Sequence, residues 1–265
     1  MIYIKKLKKN EKIKMEAVES LPESRKIMLP HVILGDYCVM PMAKKMVWHQ
    51  RPKPEEMADL LILWYRRTIG TYSEGIYSFA RQGRTKRAPE MLYYRYIKQE
   101  IDTLLSYTNL TQDYLEVETL AYQMWKQGYE KYKDTFFWSY NFLHGDLHSG
   151  NIVLFKGQYR LIDWENFRSG PKEIELAFYL CWDYLRWEDY EKNLQNMLDE
   201  IEIFCKKKLI NTCEKERILF FLIPMWMLLL VLYLNNGNLL FEDERKKVCE
   251  KIIPLYKKEV YDAHP

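Results

Sequence analysis

Residues 141–165 read NFLHGDLHSGNIVLFKGQYRLIDWE, and the expected fold turns on this stretch. Four apolar residues, Ile152–Phe155, and the run Tyr159–Ile162 flank a turn at Lys156-Gly157-Gln158, which predicts a loop followed by two short strands. The loop carries His144-Gly145-Asp146. Asn151 follows five residues after Asp146, and Asp163 closes the second strand. Phosphoryl transfer needs these residue types in this order: a loop aspartate that orients an acceptor hydroxyl and takes its proton, then an asparagine and a second aspartate that hold Mg²⁺. Taken singly, Asp146, Asn151 and Asp163 also suit turns and caps. As a set around one hairpin they point to chemistry. His144 and His148 are expected to brace the loop; a zinc pair would want them one turn apart on a helix.

On both sides of the hairpin the pattern is helical. Residues 54–140 place apolar side chains at three- and four-residue spacing, first in PEEMADLLILWYRRTIGTY and again over Met91–Lys133, and helices resume after Pro171. Residues 1–43 differ. Ile2, Ile4 and Leu7 suggest a strand and Glu11–Leu21 a helix; HVIL and YCVMPM would form strands around the turn Gly35-Asp36. The expected architecture is therefore α+β: a small unit over 1–43, then a large, mostly helical unit over 44–265 that contains the hairpin at 141–165.

Composition narrows the function classes. The chain has 265 residues, 48% hydrophobic and 29% charged, enough to bury a sizeable core. Its 21 Tyr, 11 Phe and 8 Trp suit packed helical layers. Five scattered cysteines form no C-x-x-C pair, so neither a zinc site nor a disulfide framework is expected. MIYIKKLKKNEKIK lacks the apolar core of a secretory signal, which predicts a reduced, cytoplasmic protein. A net charge of +3 argues against nucleic-acid binding. Ile218–Leu234 contains seventeen consecutive uncharged residues, near the length that spans a bilayer, but Pro224 interrupts it and no second such stretch exists. A buried core helix is the expected reading.

The motif resembles a known family. H-G-D-L-H-S-G-N, then L-I-D-W-E, then Gly170-Pro171 and E-L-A are similar to the signature of the aminoglycoside phosphotransferase/choline kinase superfamily, which includes spore-coat-associated kinase-like proteins. The resemblance implies a two-lobed, protein-kinase-like fold and Mg²⁺-assisted transfer from ATP or GTP to a small-molecule hydroxyl. Asp146 would be the catalytic base, and Asn151 and Asp163 the metal ligands. Glu175 stands where the family commonly has aspartate.

Kinase folds open with a glycine-rich hairpin over the phosphates, and this chain has no glycine before Gly35. The resemblance thus implies a truncated N-terminal lobe starting at the lysine strand. Lys5 or Lys6 would be the phosphate lysine, with Glu16 as its helix partner or Glu19 one turn on. Tyr37–Ala43, including Met40 and Met42, would meet the adenine. Two readings stand: an active small-molecule kinase, or a kinase-like binding or structural protein such as a spore-coat component. The acceptor is open. Trp164, Trp182, Tyr184, Trp187 and Trp226 are candidates for an aromatic cage, although their spacing also suits core packing.

Overall fold

The structure is a computed structural model describing residues 2–21, 24–46, 51–68, 140–184 and 190–222. It opens with strand β1 (Ile2–Lys6), helix α1 (Lys9–Glu19), and strands β2 (Val32–Leu34) and β3 (Tyr37–Pro41). These form one antiparallel sheet in the order β1-β3-β2, with Ile4 opposite Val39 and Lys5 opposite Cys38. The β2–β3 turn is built on Gly35 at φ +61, a left-handed conformation that glycine adopts without strain. On α1, Glu11, Met15 and Val18 recur at helical spacing and form the buried face.

Strand β4 (Lys44–Lys45) leads away from this sheet and pairs with β6 (Ile152–Phe155), which pairs in turn with β7 (Gln158–Leu161). The hairpin turn is tighter than the sequence suggests. It comprises only Lys156 and Gly157, both at positive φ, the mirror-image turn that matches strand twist. The first sheet is tied to this hairpin through the segment after α1: Leu161 N–H donates to Ile27 O at 2.7 Å and Leu29 N–H to Leu161 O at 3.2 Å.

A third pair of strands is not evident in the sequence. β5 (Tyr140–Leu143) runs antiparallel to β8 (Arg168–Pro171), clamping the two ends of the hairpin segment together. Around this framework pack helices α2 (Pro54–Thr68), α3 (Lys172–Tyr184) and α4 (Tyr190–Lys206), then a helix over 212–222, α5. Asn211 caps α5 reciprocally with Glu214: its Oδ1 accepts the Glu214 N–H and its own N–H reaches Glu214 Oε2, both at 2.9 Å. On α4, Leu194, Met197, Ile201 and Phe204 are buried at three- and four-residue spacing.

The aromatic core joins α2 to the β6–β7 hairpin. Trp64 meets Trp164 edge-on, with ring centroids 5.1 Å apart, and Phe142 and Phe167 pack alongside. Ile218–Leu222, the described part of the long apolar run, is buried, which agrees with a core helix; the rest of that run lies outside the described residues. Among the described residues no helix is long and apolar enough to cross a membrane. Met91–Lys133, Trp187 and Trp226 also lie outside them.

Candidate active site

The loop between β5 and β6 is held from beneath by buried side chains. His144 is fully buried. Its Nε2–H donates to Ile162 O at 2.8 Å, Nδ1 accepts the Asp146 N–H at 3.3 Å, and the ring packs on Trp164. Burial pushes its pKa down to about 4, so the ring stays neutral and structural. Gly145 sits at φ +84, where a Cβ would fall 1.9 Å from Asn166 O, so only glycine fits. Its N–H donates to Glu175 Oε2 at 2.6 Å, and Glu175 Oε1 accepts from Tyr65 OH at 2.7 Å. Glu175 is thus buried beneath the loop, with one oxygen on the loop backbone and one on α2.

These supports present Asp146 partly exposed at the surface of the site. Asn151 Nδ2 donates to both Asp146 O, at 2.8 Å, and Asp146 Oδ2, at 3.2 Å. Two of the three motif residues are therefore in direct contact. With Nδ2 engaged, Oδ1 is the atom Asn151 has left for a cation. The 149–151 turn is fixed by Asp183, whose buried Oδ1 accepts from Ser149 N at 3.1 Å and Ser149 Oγ at 3.0 Å. Burial raises the Asp183 pKa to about 6 against the opposing pull of Ser149. Nearby, burial raises Glu200 to about 7, with Arg51, at 2.9 Å, and Tyr179, at 3.0 Å, as partners.

Asp163, at the end of β7, takes a left-handed conformation at φ +66, tolerable for aspartate, and starts the 164–166 turn. Its Oδ1 lies 2.9 Å from Lys5 Nζ, and the same ammonium ion-pairs with Glu11. Burial alone would lower the Lys5 pKa; hydrogen bonds to Glu11 and Asp163 more than offset it and hold the pKa well above the usual lysine value. Glu11 takes the place expected for Glu16 or Glu19. Both of those remain exposed, because α1 turns its Glu11–Met15–Val18 face toward the core and rests its first turns on the 164–166 turn, where Lys14 Nζ donates to Glu165 O at 2.6 Å. A carboxylate on an otherwise apolar stripe, needing a cation to be buried, was the available signal for Glu11. Lys6 is exposed on the opposite side of β1.

Oxygen ligands for a hard cation are at hand. Glu11, Asp163 and Glu165 bring carboxylate oxygens within 4.8 Å of one another, and Asn151 and Asp163 offer the amide and carboxylate set that Mg²⁺ accepts. Beside Lys5 and Asp163 opens a cavity of about 330 Å³, lined also by Tyr3, Leu29, Met40, Met42 and Ile162. The residues expected to meet a nucleotide, Lys5, Met40 and Met42, thus share one apolar-walled pocket with Asp163. The aromatic candidates divide differently: Trp164 and Tyr184 are core, and Trp182, half-buried, packs on His148 at a tilt of 39° with centroids 5.2 Å apart.

Residues 96–199 match the family model described as the phosphotransferase enzyme family. The chain is similar in fold to a choline/ethanolamine kinase family protein from Mesorhizobium loti, with a TM-score of 0.63 at 14% identity, covering 97% of this chain and 85% of that one. It is similar also to Plasmodium vivax ethanolamine kinase, with a TM-score of 0.61 at 12% identity over 98% and 77% of the two chains. A third solved structure, an AMP-bound complex of spectinomycin phosphotransferase, gives 0.57 at 15% identity over 93% and 82%. No curated protein sequence matches the chain. The resemblance to the aminoglycoside phosphotransferase/choline kinase superfamily thus holds in family model and in fold.

Proposed function

We propose that the protein transfers the γ-phosphoryl group of ATP or GTP to a hydroxyl of a small molecule. The observation that carries this reading is a pair of contacts: Asn151 on Asp146, within one loop, and Lys5 on Asp163, 158 residues away along the chain, at the edge of an apolar-walled pocket. The base would lie among Met40, Met42 and Leu29, and Lys5 would meet the phosphates. Asn151 and Asp163 would hold Mg²⁺, which when bound offsets charge on the β- and γ-phosphates. Asp146 orients the acceptor hydroxyl and takes its proton as the new P–O bond forms and the bond from the γ-phosphorus to the β–γ bridging oxygen breaks, releasing ADP or GDP. The nucleotide-bound state of a spectinomycin phosphotransferase with this fold supports a nucleotide in the pocket.

A second reading, a kinase-like binding protein without turnover, is favoured by one observation. Lys5 already neutralises both Glu11 and Asp163, so the ion pairs need no ligand to form. Thermal-shift titration with ATP and GTP, with and without Mg²⁺, separates the readings when run on wild type and Asp163→Ala. A ligand bound only by the native state at 100 times its Kd stabilises by about 2.7 kcal/mol. A Mg²⁺-dependent shift lost in the variant, together with turnover, supports the kinase; a shift without turnover supports the binding protein. No shift with any nucleotide sinks both.

A further inference from the structure

The two loop histidines have opposite fates. His144 is sealed in the core, whereas His148 stands partly exposed beside Asp146, its Nε2 3.8 Å from Asp146 Oδ2. Two contacts hold its ring: the Gly150 N–H donates to Nδ1 at 3.1 Å, and Trp182 packs against the ring at a tilt. The next residue, Ser149, is tethered twice to Asp183, the neighbour of Trp182 on α3. The ring lies directly over Gly150, where a Cβ would come within 2.7 Å of Cε1 and 2.9 Å of Nδ1. Glycine is therefore required at 150 by the seat of His148 rather than by its own backbone angles.

The Gly150 contact determines the tautomer. An Nδ1 that accepts a hydrogen bond carries no proton, so the neutral ring carries it on Nε2, the nitrogen beside Asp146. A gap of 3.8 Å between a donor and a carboxylate oxygen is too long for a direct hydrogen bond. One oxygen atom can bridge it with two hydrogen bonds of about 2.8 Å, meeting at an angle of roughly 85°.

We propose that His148 is a second catalytic residue, a neutral hydrogen-bond donor that works with Asp146 to select and seat the acceptor as an alcohol oxygen. The inference rests on the phosphotransferase reading above. A hydroxyl donates its proton to Asp146 Oδ2, accepts from His148 Nε2–H, and keeps its second lone pair for the phosphorus. An ammonium nitrogen has no lone pair for His148 to meet, so an amine in this position is rejected. Trp182 and Asp183 act as positioning residues, one behind the ring and one beneath the loop.

Two measurements on the full chain test this. Ring ¹⁵N shifts, with His148 assigned by loss of its signal in His148→Gln, should report the Nε2–H tautomer; a proton on Nδ1 would overturn the proposal. Turnover of MgATP, with water as the smallest hydroxyl acceptor, is then compared across variants. His148→Phe keeps a ring against Trp182 but removes the donor; kcat should fall about 100-fold with KM for MgATP within about twofold. His148→Gln, whose amide can donate, should recover part of the loss. An unchanged kcat in His148→Phe overturns the proposal while the kinase reading stands. Wild-type turnover no higher than that of Asp146→Asn overturns the kinase reading itself, and this inference with it.

Discussion

Lys5 Nζ lies 2.9 Å from Asp163 Oδ1 across 158 residues of chain, and it holds the buried carboxylate of Glu11 at the same time. One ammonium thus ties the first strand, the first helix and the end of the β6–β7 hairpin together.

Replacing Lys5 with Met leaves Glu11 buried without its cation. Because the lysine is partly exposed, solvent screening limits the loss to about 1–2 kcal/mol, measurable as a lower urea midpoint. Nucleotide affinity should fall at least about tenfold, from loss of a charge-assisted phosphate contact. The corresponding Lys6→Met, at an exposed position, should change neither quantity; equal effects at both positions would contradict the assignment.

Asp146→Asn should lower turnover by roughly 100- to 10,000-fold, since the variant retains shape but cannot take a proton. The side chain is partly exposed, and both its backbone oxygen and its Oδ2 position can still accept from Asn151, so the thermal midpoint should stay within a few degrees of wild type. A variant that turns over at the wild-type rate removes Asp146 from the mechanism.

His144 sets an acid limit on stability. Its folded pKa is depressed to about 4 by burial, below the unfolded value near 6.5, so between these the unfolded chain binds the extra proton and stability rises with pH. Glu200 and Asp183 act in the opposite sense, because their raised pKa values make the folded state the better proton binder. The stability difference between wild type and His144→Gln cancels those terms. It should be flat above about pH 6.5 and shrink by about 1.4 kcal/mol per unit down to about pH 4. A difference that does not change with pH would mean that His144 titrates normally.

Gly145→Ala should be among the most damaging single substitutions in the chain. The new Cβ would meet Asn166 O at 1.9 Å in a left-handed conformation, and relief requires the loop to withdraw its N–H from Glu175. We expect a loss of roughly 3 kcal/mol in denaturant unfolding. Gly157→Ala, also at positive φ but with open space around it, should cost less; the comparison separates backbone strain from steric conflict.

Whatever local pattern controls was legible along the chain. Short apolar runs flanking the turns at Gly35-Asp36 and Lys156-Gly157-Gln158 marked β2, β3, β6 and β7, and apolar spacing after Pro54 and Pro171 marked helices, because turn chemistry and side-chain periodicity need only neighbours along the chain. Asp146, Asn151 and Asp163 were legible for the same reason, since one hairpin holds all three. The tertiary structure decided whatever depends on which faces meet. Glu11 rather than Glu16 reaches Lys5 because α1 lays its buried stripe on the 164–166 turn, a rotation no local pattern encodes. β5 pairs with β8 through backbone groups in two four-residue segments that lack any alternation. Asp183, Glu175 and the ring of His148 gain their parts in the site from burial and from one another, forces that act only once the chain has closed around them.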